Sequence, residues 1–162
     1  MSKTLEIDIN KDDIEKLVKK TSAITAEDTL RRAITAGGLF LSTWIIKNKL
    51  SGPRPANLGV VTGRLRSSIG LFNFLSDKGG ISVRIGTNVI YARIHEHGGT
   101  IRPGAKGFLA WQNRNTGKWV FTRKPVKIPA RPFLRPAIED QDNINQVTDI
   151  VNNNIKQAIE NA

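Results

Sequence analysis

The stretch from Thr25 to Leu50 constrains the fold more than any other part of the chain. Thr25 opens a helix with Glu27 and Asp28 in its first turn, where the helix dipole favours negative charge. Apolar residues then recur at Leu30, Ile34, Leu41 and Ile45 on one stripe, and Leu39, Phe40, Trp44 and Ile46 widen that stripe almost to the full circumference. A helix apolar nearly all round belongs in the middle of a core or between subunits. Gly37 and Gly38 each cost such a helix about 1 kcal/mol relative to alanine, so their presence predicts another backbone pressing close there. The helix stops before Gly52 and Pro53.

Around this helix the chain reads as α+β. Asn10 is placed to cap a first helix that ends near Thr21, with Asp12, Asp13 and Glu15 at its start and Lys16, Lys19 and Lys20 at its end. "SGPRPANLGVVTG" (51–63) has no period and reads as a long surface loop. In "TGRLRSSI" (62–69), Thr62 is placed to cap one helical turn that sets Arg64 beside Ser67 and Ser68. Ile69 to Leu75 and the alternating Ile81, Val83 and Ile85 predict a hairpin. In "GFLAWQNRNTGKWVFTR" (107–123), Phe108 to Gln112 and Lys118 to Arg123 predict a second, and Val126 to Ile128 extends the sheet. Prolines at 125, 129, 132 and 136 precede a last helix with Ile144, Val147, Val151, Ile155 and Ala158 at helical spacing. The expectation is one domain: an N-terminal helical region (1–50), a loop and short helix (51–67), a β region (68–128) and a proline-braced segment with a C-terminal helix (129–162). Its antiparallel sheet has about four to five strands, packed by the long central helix.

Charge divides unevenly. Residues 51–137 hold 15 Lys/Arg against 2 Asp/Glu, whereas residues 138–162 hold 1 against 5, within a total net charge of +11. So large a central excess repels itself unless something acidic lies alongside, whether nucleic acid, an acidic partner or the acidic end of another copy. There is no cysteine, which excludes disulfides, thiolate nucleophiles and sulfur-ligated zinc. The polar N-terminus carries no apolar signal region and the longest apolar run is far short of a spanning helix, so a cytoplasmic, soluble chain is expected.

"YARIHEHGGTI" (91–101) holds both histidines of the chain around Glu96. On a helix, His95 and His97 point to nearly opposite sides. On a strand they share a side, but Glu96 then faces away. Neither geometry supplies the three or four convergent ligands of a metal or catalytic centre, so no catalytic, cofactor or metal role is assigned. A structural reading covers more of the stretch: Val89, Ile90, Tyr91 and Ile94 form an apolar face, Gly98 and Gly99 end a helical turn, and His95 is the more buried histidine. In the second hairpin, Arg114, Lys118, Arg123 and Lys124 are able to track a nucleic-acid backbone while Trp111 or Trp119 stacks bases. Alternation places Trp119 and Phe121 on one face and favours tryptophans as sheet core. Phosphate-binding glycine motifs are absent. "IPARPFLRPA" (128–137) has three prolines, Phe133 and Leu134 as anchors and Arg131 and Arg135 at a set distance, a prefolded segment suited to docking.

"TGRLRSSI", then "YARIHEHGGTI", then a strand pair, then "IPARPFLRPA" and a closing helix resemble the tail-completion or virion-morphogenesis proteins of tailed phages, a group similar to the minor tail protein Z and head-tail joining families. The matching positions are Thr62, Gly63, Leu65 and Ile69, then Tyr91, His95, Gly98 and Gly99, then Pro129, Arg131, Pro132, Phe133 and Leu134. The resemblance implies a non-enzymatic subunit without cofactors, assembled as a ring, commonly six-fold, at the neck of the virion. Such a ring meets a tail-terminator or tail-tube protein and a head-connector or stopper protein, forms in the host cytoplasm, and lets DNA pass through its lumen. On this reading Arg64, Arg66, Tyr91, His95, His97, Arg131, Phe133, Leu134 and Arg135 meet protein neighbours. Arg84, Arg102, Lys106, Arg114, Lys118, Arg123 and Lys124 are the positions for phosphate contact. The alternatives are a stand-alone basic nucleic-acid-binding module, with Arg64, Arg66, Arg84, Arg102 and Arg123 on one face, and a metal-dependent hydrolase using His95, Glu96 and His97.

Overall fold

A computed structural model describes residues 11–20, 23–53, 57–77, 80–113 and 115–161. Among them six α-helices and six strands follow in the order α1 (Lys11–Lys20), α2 (Ala23–Ile45), α3 (Arg64–Ser67), β1 (Gly70–Asp77), β2 (Gly80–Gly86), α4 (Ala92–His97), β3 (Gly99–Ile101), β4 (Leu109–Gln112), β5 (Trp119–Thr122), β6 (Val126–Ile128), α5 (Arg135–Glu139) and α6 (Gln141–Glu160). The mixed helix and sheet content agrees with α+β. α1 ends where expected, while the cap assigned to Asn10 lies outside the described residues. α2 begins two residues before Thr25 and its last turn widens into a π-helical turn, Ile46–Leu50, ahead of Gly52.

The described residues form two compact units, one of the chain up to Val89 together with everything from Phe133 onward, the other Ile90–Pro132. In the first unit α2 packs against α6 and against both strands of the β1–β2 hairpin. Its glycine pair makes this double contact. A Cβ on Gly37 would lie 3.0 Å from Val147 Cγ1 of α6, and one on Gly38 would lie 2.8 Å from Leu71 Cδ2 and 3.2 Å from Val83 Cγ1 of the hairpin. Successive helical residues are about 100° apart around the axis, so adjacent glycines open two neighbouring faces. What presses in is valine and leucine side chains, rather than the second backbone expected. Nor is the helix covered all round: Ile34, Leu41 and Ile45 are buried, but Leu39 and Thr43 keep one side open to solvent.

α6 completes this core with Val147, Val151 and Ile155, all fully buried at helical spacing. Asp140 caps it, its carboxylate accepting from the backbone N–H groups of Asp142 and Asn143 at 3.0 and 3.2 Å. The buried Asn143 amide donates to Ala137 O at 3.2 Å, which satisfies a donor that burial would otherwise strand and ties α6 to the preceding α5. Phe133 is 1% exposed and ranks with Leu17 and Ile45 among the largest fully buried side chains. This corrects its expected role as a docking anchor: the residue sits inside the core and cannot meet a partner while the core is closed.

The strands form three separate two-stranded antiparallel pairs, β1–β2, β3–β6 and β4–β5, instead of one sheet of four to five strands. β1–β2 is the hairpin anticipated, with Ile81, Val83 and Ile85 turned partly inward, Ser82 and Arg84 outward, and a bulge between Phe72 and Phe74. β6, expected to extend the sheet, joins neither hairpin. It pairs with β3, a strand not anticipated, placing Thr100 opposite Lys127. Shortness and interruption explain the separation. β3 and β6 have three residues each, and Pro103, Pro125 and Pro129 at their flanks have no N–H to carry a ladder onward.

Two substitutions check this packing. Phe133→Ala is expected to destabilise by about 3–5 kcal/mol, measured by urea unfolding; a loss below about 1 kcal/mol would return the residue to the surface. Gly38→Val should cost about 1–3 kcal/mol through overpacking, although valine is the better helix former of the two.

Candidate assembly surface

The second unit is built around the histidine stretch. α4 is a helix, so His95 and His97 leave it on nearly opposite sides and cannot close on one ion. His95 is half-buried, with the Tyr91 ring edge-on to it at 5.9 Å, and His97 is exposed. Glu96, between them, is the buried member of the three. Among the described residues no group of three or more His, Asp or Glu side chains comes together as a metal site would require. The apolar face assigned to this stretch is only partly turned inward: Val89 is buried, while Ile90 is 95% exposed.

Gly98 ends α4 at φ 69°, ψ −179°, a region only glycine occupies without strain. A Cβ there would also stand 2.8 Å from Ala130 N and 3.1 Å from Ile128 O. The close approach lets β3 run back beside β6 and lets Arg131 N donate to His95 O at 2.7 Å. "HEHGG" and "IPAR" therefore form one backbone-bonded corner, which gives the histidine stretch a shape-holding role.

The other proposed contact residues divide between the two units. Arg64 and Arg66 are exposed on α3, whose serines bond locally: Ser67 Oγ donates to Arg64 O at 3.1 Å, and Ser68 Oγ lies 2.6 Å from Thr87 Oγ1 at the end of β2. Gly63, at φ 74°, occupies the cap position of that turn, while the Thr62 hydroxyl accepts from Arg64 N at a long 3.4 Å. Arg131 and Leu134 are half-buried and Arg135 is exposed. Of the phosphate-contact residues, Arg84 is exposed on β2 of the first unit, and Arg102, Lys106, Lys118, Arg123 and Lys124 are exposed in the second; Arg114 lies outside the described residues.

The feature missed from the sequence is the open face of the β4–β5 hairpin. Ala110 pairs with Phe121 and Gln112 with Trp119, so Phe121 and Trp119 share one face with those partners. Trp119 and Phe121 stack at 6.3 Å with planes 29° apart, and Phe108 leans on Phe121 at 5.8 Å. This aromatic face was expected to be core. Instead Trp119 and Phe121 are each 63% exposed, and Trp111 on the opposite face is exposed as well. The alternation was legible, but whether anything covers an apolar face is not written in a strand's own residues. The one signal in the sequence was the absence of any Asp or Glu between His97 and Ile138, which marks this region as unlike an ordinary solvated surface.

A sequence model of the phage virion morphogenesis family matches residues 52–156, from the end of the first helical region to the last turns of α6. No curated protein and no solved structure was found to match the chain. No helix among the described residues is long and apolar enough to cross a membrane.

Gly98→Ala is expected to destabilise by about 1–3 kcal/mol and to expose the β3–β6 amides first. Hydrogen exchange across the β3–β6 ladder unchanged from the parent would show that the corner does not depend on this glycine.

Proposed function

This chain belongs to the phage virion morphogenesis family, and on that premise we propose that it is a tail-completion or neck subunit. It forms a closed ring that caps the tail tube and joins it to the head connector, with DNA passing through the lumen. Membership of the family supports the coarser part, a structural role in building the virion. The observation that supports the finer part is the second unit: 9 Lys/Arg against the single Glu96, with large apolar side chains on its outside. Large exposed apolar surface on a stable chain marks a site that meets another protein. Unlike charges at different places in one chain favour head-to-tail contacts, which close into rings when the rotation permits.

On this reading the subunit is not an enzyme and needs no cofactor or metal. Its partners are further copies of itself, most simply six, a tail-terminator or tube protein, and a connector or stopper protein. Arg102, Lys106, Lys118, Arg123 and Lys124 make weak, sequence-independent contact with passing phosphates. One observation favours the stand-alone nucleic-acid module as a second reading: Trp119 and Phe121 are exposed beside Lys118 and Arg123, an arrangement that also suits stacked bases.

Negative-stain images of the purified protein, alone and with tail-tube and connector proteins, separate the two. Annuli with a central hole are expected, with weak duplex DNA retention that disappears as salt is raised. Lone particles under every partner condition, or tight sequence-selective DNA binding, would overturn the ring.

A further inference from the structure

The second unit presents no exposed carboxylate. Over residues 90–132 the one acidic side chain is Glu96, which is buried, whereas Arg93, Arg102, Lys106, Lys118, Arg123 and Lys124 are all exposed. Ordinary surfaces intersperse both signs of charge; a surface of one sign is the electrostatic footprint of a polyanion.

Into that surface the β4–β5 hairpin sets flat rings, and its two faces differ in kind. Leu109 and Val120, its aliphatic residues, lie half-buried on one face beside the more open Trp111. The other face carries Ala110, Gln112, Trp119 and Phe121, all exposed. Trp119 and Phe121 lie 6.3 Å apart with planes 29° from parallel, and Phe108 leans on Phe121. The open face therefore holds rings, one amide and one methyl group, with no branched aliphatic side chain. Lysines flank it, a residue that protein interfaces deplete and that phosphate takes as a point charge.

We propose that this face is a stacking platform for single-stranded DNA, an inference that rests on the phosphate contact put forward above and gives it a site and a strand. Lys118 leads into β5 and Arg123 and Lys124 follow it, so cations stand at both ends of the strand that carries Trp119 and Phe121. Phosphates meet the cations and bases lie on the rings. A duplex offers phosphates without base faces, since its bases cover one another at about 3.4 Å per step. An unpaired strand is free to part neighbouring bases toward the 6.3 Å that separates the ring centroids. The face has few groups to read sequence or sugar: the Gln112 amide donates to Gly117 O at 2.9 Å, and beyond the indole N–H the other side chains are hydrocarbon. Ile90, Tyr91 and Ile101, exposed outside the hairpin, stay for the protein neighbours of the ring.

The test is fluorescence anisotropy of a labelled oligo-dT 20-mer with the full chain across a salt series. The parent should hold the 20-mer at low salt and a duplex of the same length more weakly. Trp119→Ala/Phe121→Ala should weaken 20-mer binding roughly tenfold or more, with circular dichroism, salt slope and duplex retention unchanged. Trp119→Tyr/Phe121→Tyr keeps two rings and should bind within about threefold of the parent. Arg123→Gln should instead lower the slope of log affinity against log salt by about 0.7. If the alanine pair fails to fold, Arg123→Glu takes its place, and unchanged 20-mer binding there overturns the platform. An alanine pair that binds like the parent also overturns it, and loss of a tail or connector protein by that variant makes the strip a protein contact instead. So does a duplex held as tightly as the single strand, which leaves the cations acting alone, or an oligo-U 20-mer held tenfold tighter than oligo-dT. Annuli without 20-mer binding sink this site and leave the ring reading standing; 20-mer binding by particles that stay single with tail and connector proteins sinks the ring reading alone.

Discussion

Everything in the first unit depends on how closely three elements approach at Gly37 and Gly38. A methyl group at either position would enter the space of a neighbour's side chain, so α6 lies near the helix on one side and the β1–β2 hairpin on the next. Glycine carries an intrinsic helical penalty of about 1 kcal/mol. Close packing against Val147, Val151, Leu71 and Val83 offsets it, because dispersion falls steeply with even a small gap. This approach accompanies the burial of Val147 and Val151 on α6.

The second unit follows a different physical logic. Its order comes from backbone connections, the Gly98 corner, the Arg131 to His95 hydrogen bond and two short ladders, with little buried apolar surface. Hydrogen bonds contribute modestly in net terms when water competes for them. A unit of this kind holds a shape while leaving its apolar groups free to meet something else. That division, one self-sufficient unit and one that presents itself, is what a virion assembly subunit requires: it must persist as a folded chain and still keep apolar surface to bury on contact.

The two histidines show why residue type alone is a poor guide to chemistry. Imidazole beside carboxylate invites a metal or acid/base reading. The helix turns His95 and His97 apart and Gly98 ends it at once, leaving His95 edge-on to Tyr91 and its carbonyl bonded to Arg131 N. Shape at that corner is held by the carbonyl and the glycine.

Local physical chemistry made much of the chain legible from its residues. The spans of α1, α2 and α6, the β1–β2 and β4–β5 hairpins, the glycine pair as a place of close approach, and the helical end at Gly98 all follow from periodicity, charge placement and backbone freedom within a few residues. The motifs that resembled phage morphogenesis proteins lay in the segment that the family match covers. Tertiary structure alone decided which apolar faces are covered. Phe133, expected at a surface, lies in the core; Trp119 and Phe121, expected in the core, face outward; and β6 pairs with β3 alone instead of extending a larger sheet. Alternation along a strand shows that one face is apolar, but cover comes from elements distant in sequence, or from another molecule altogether.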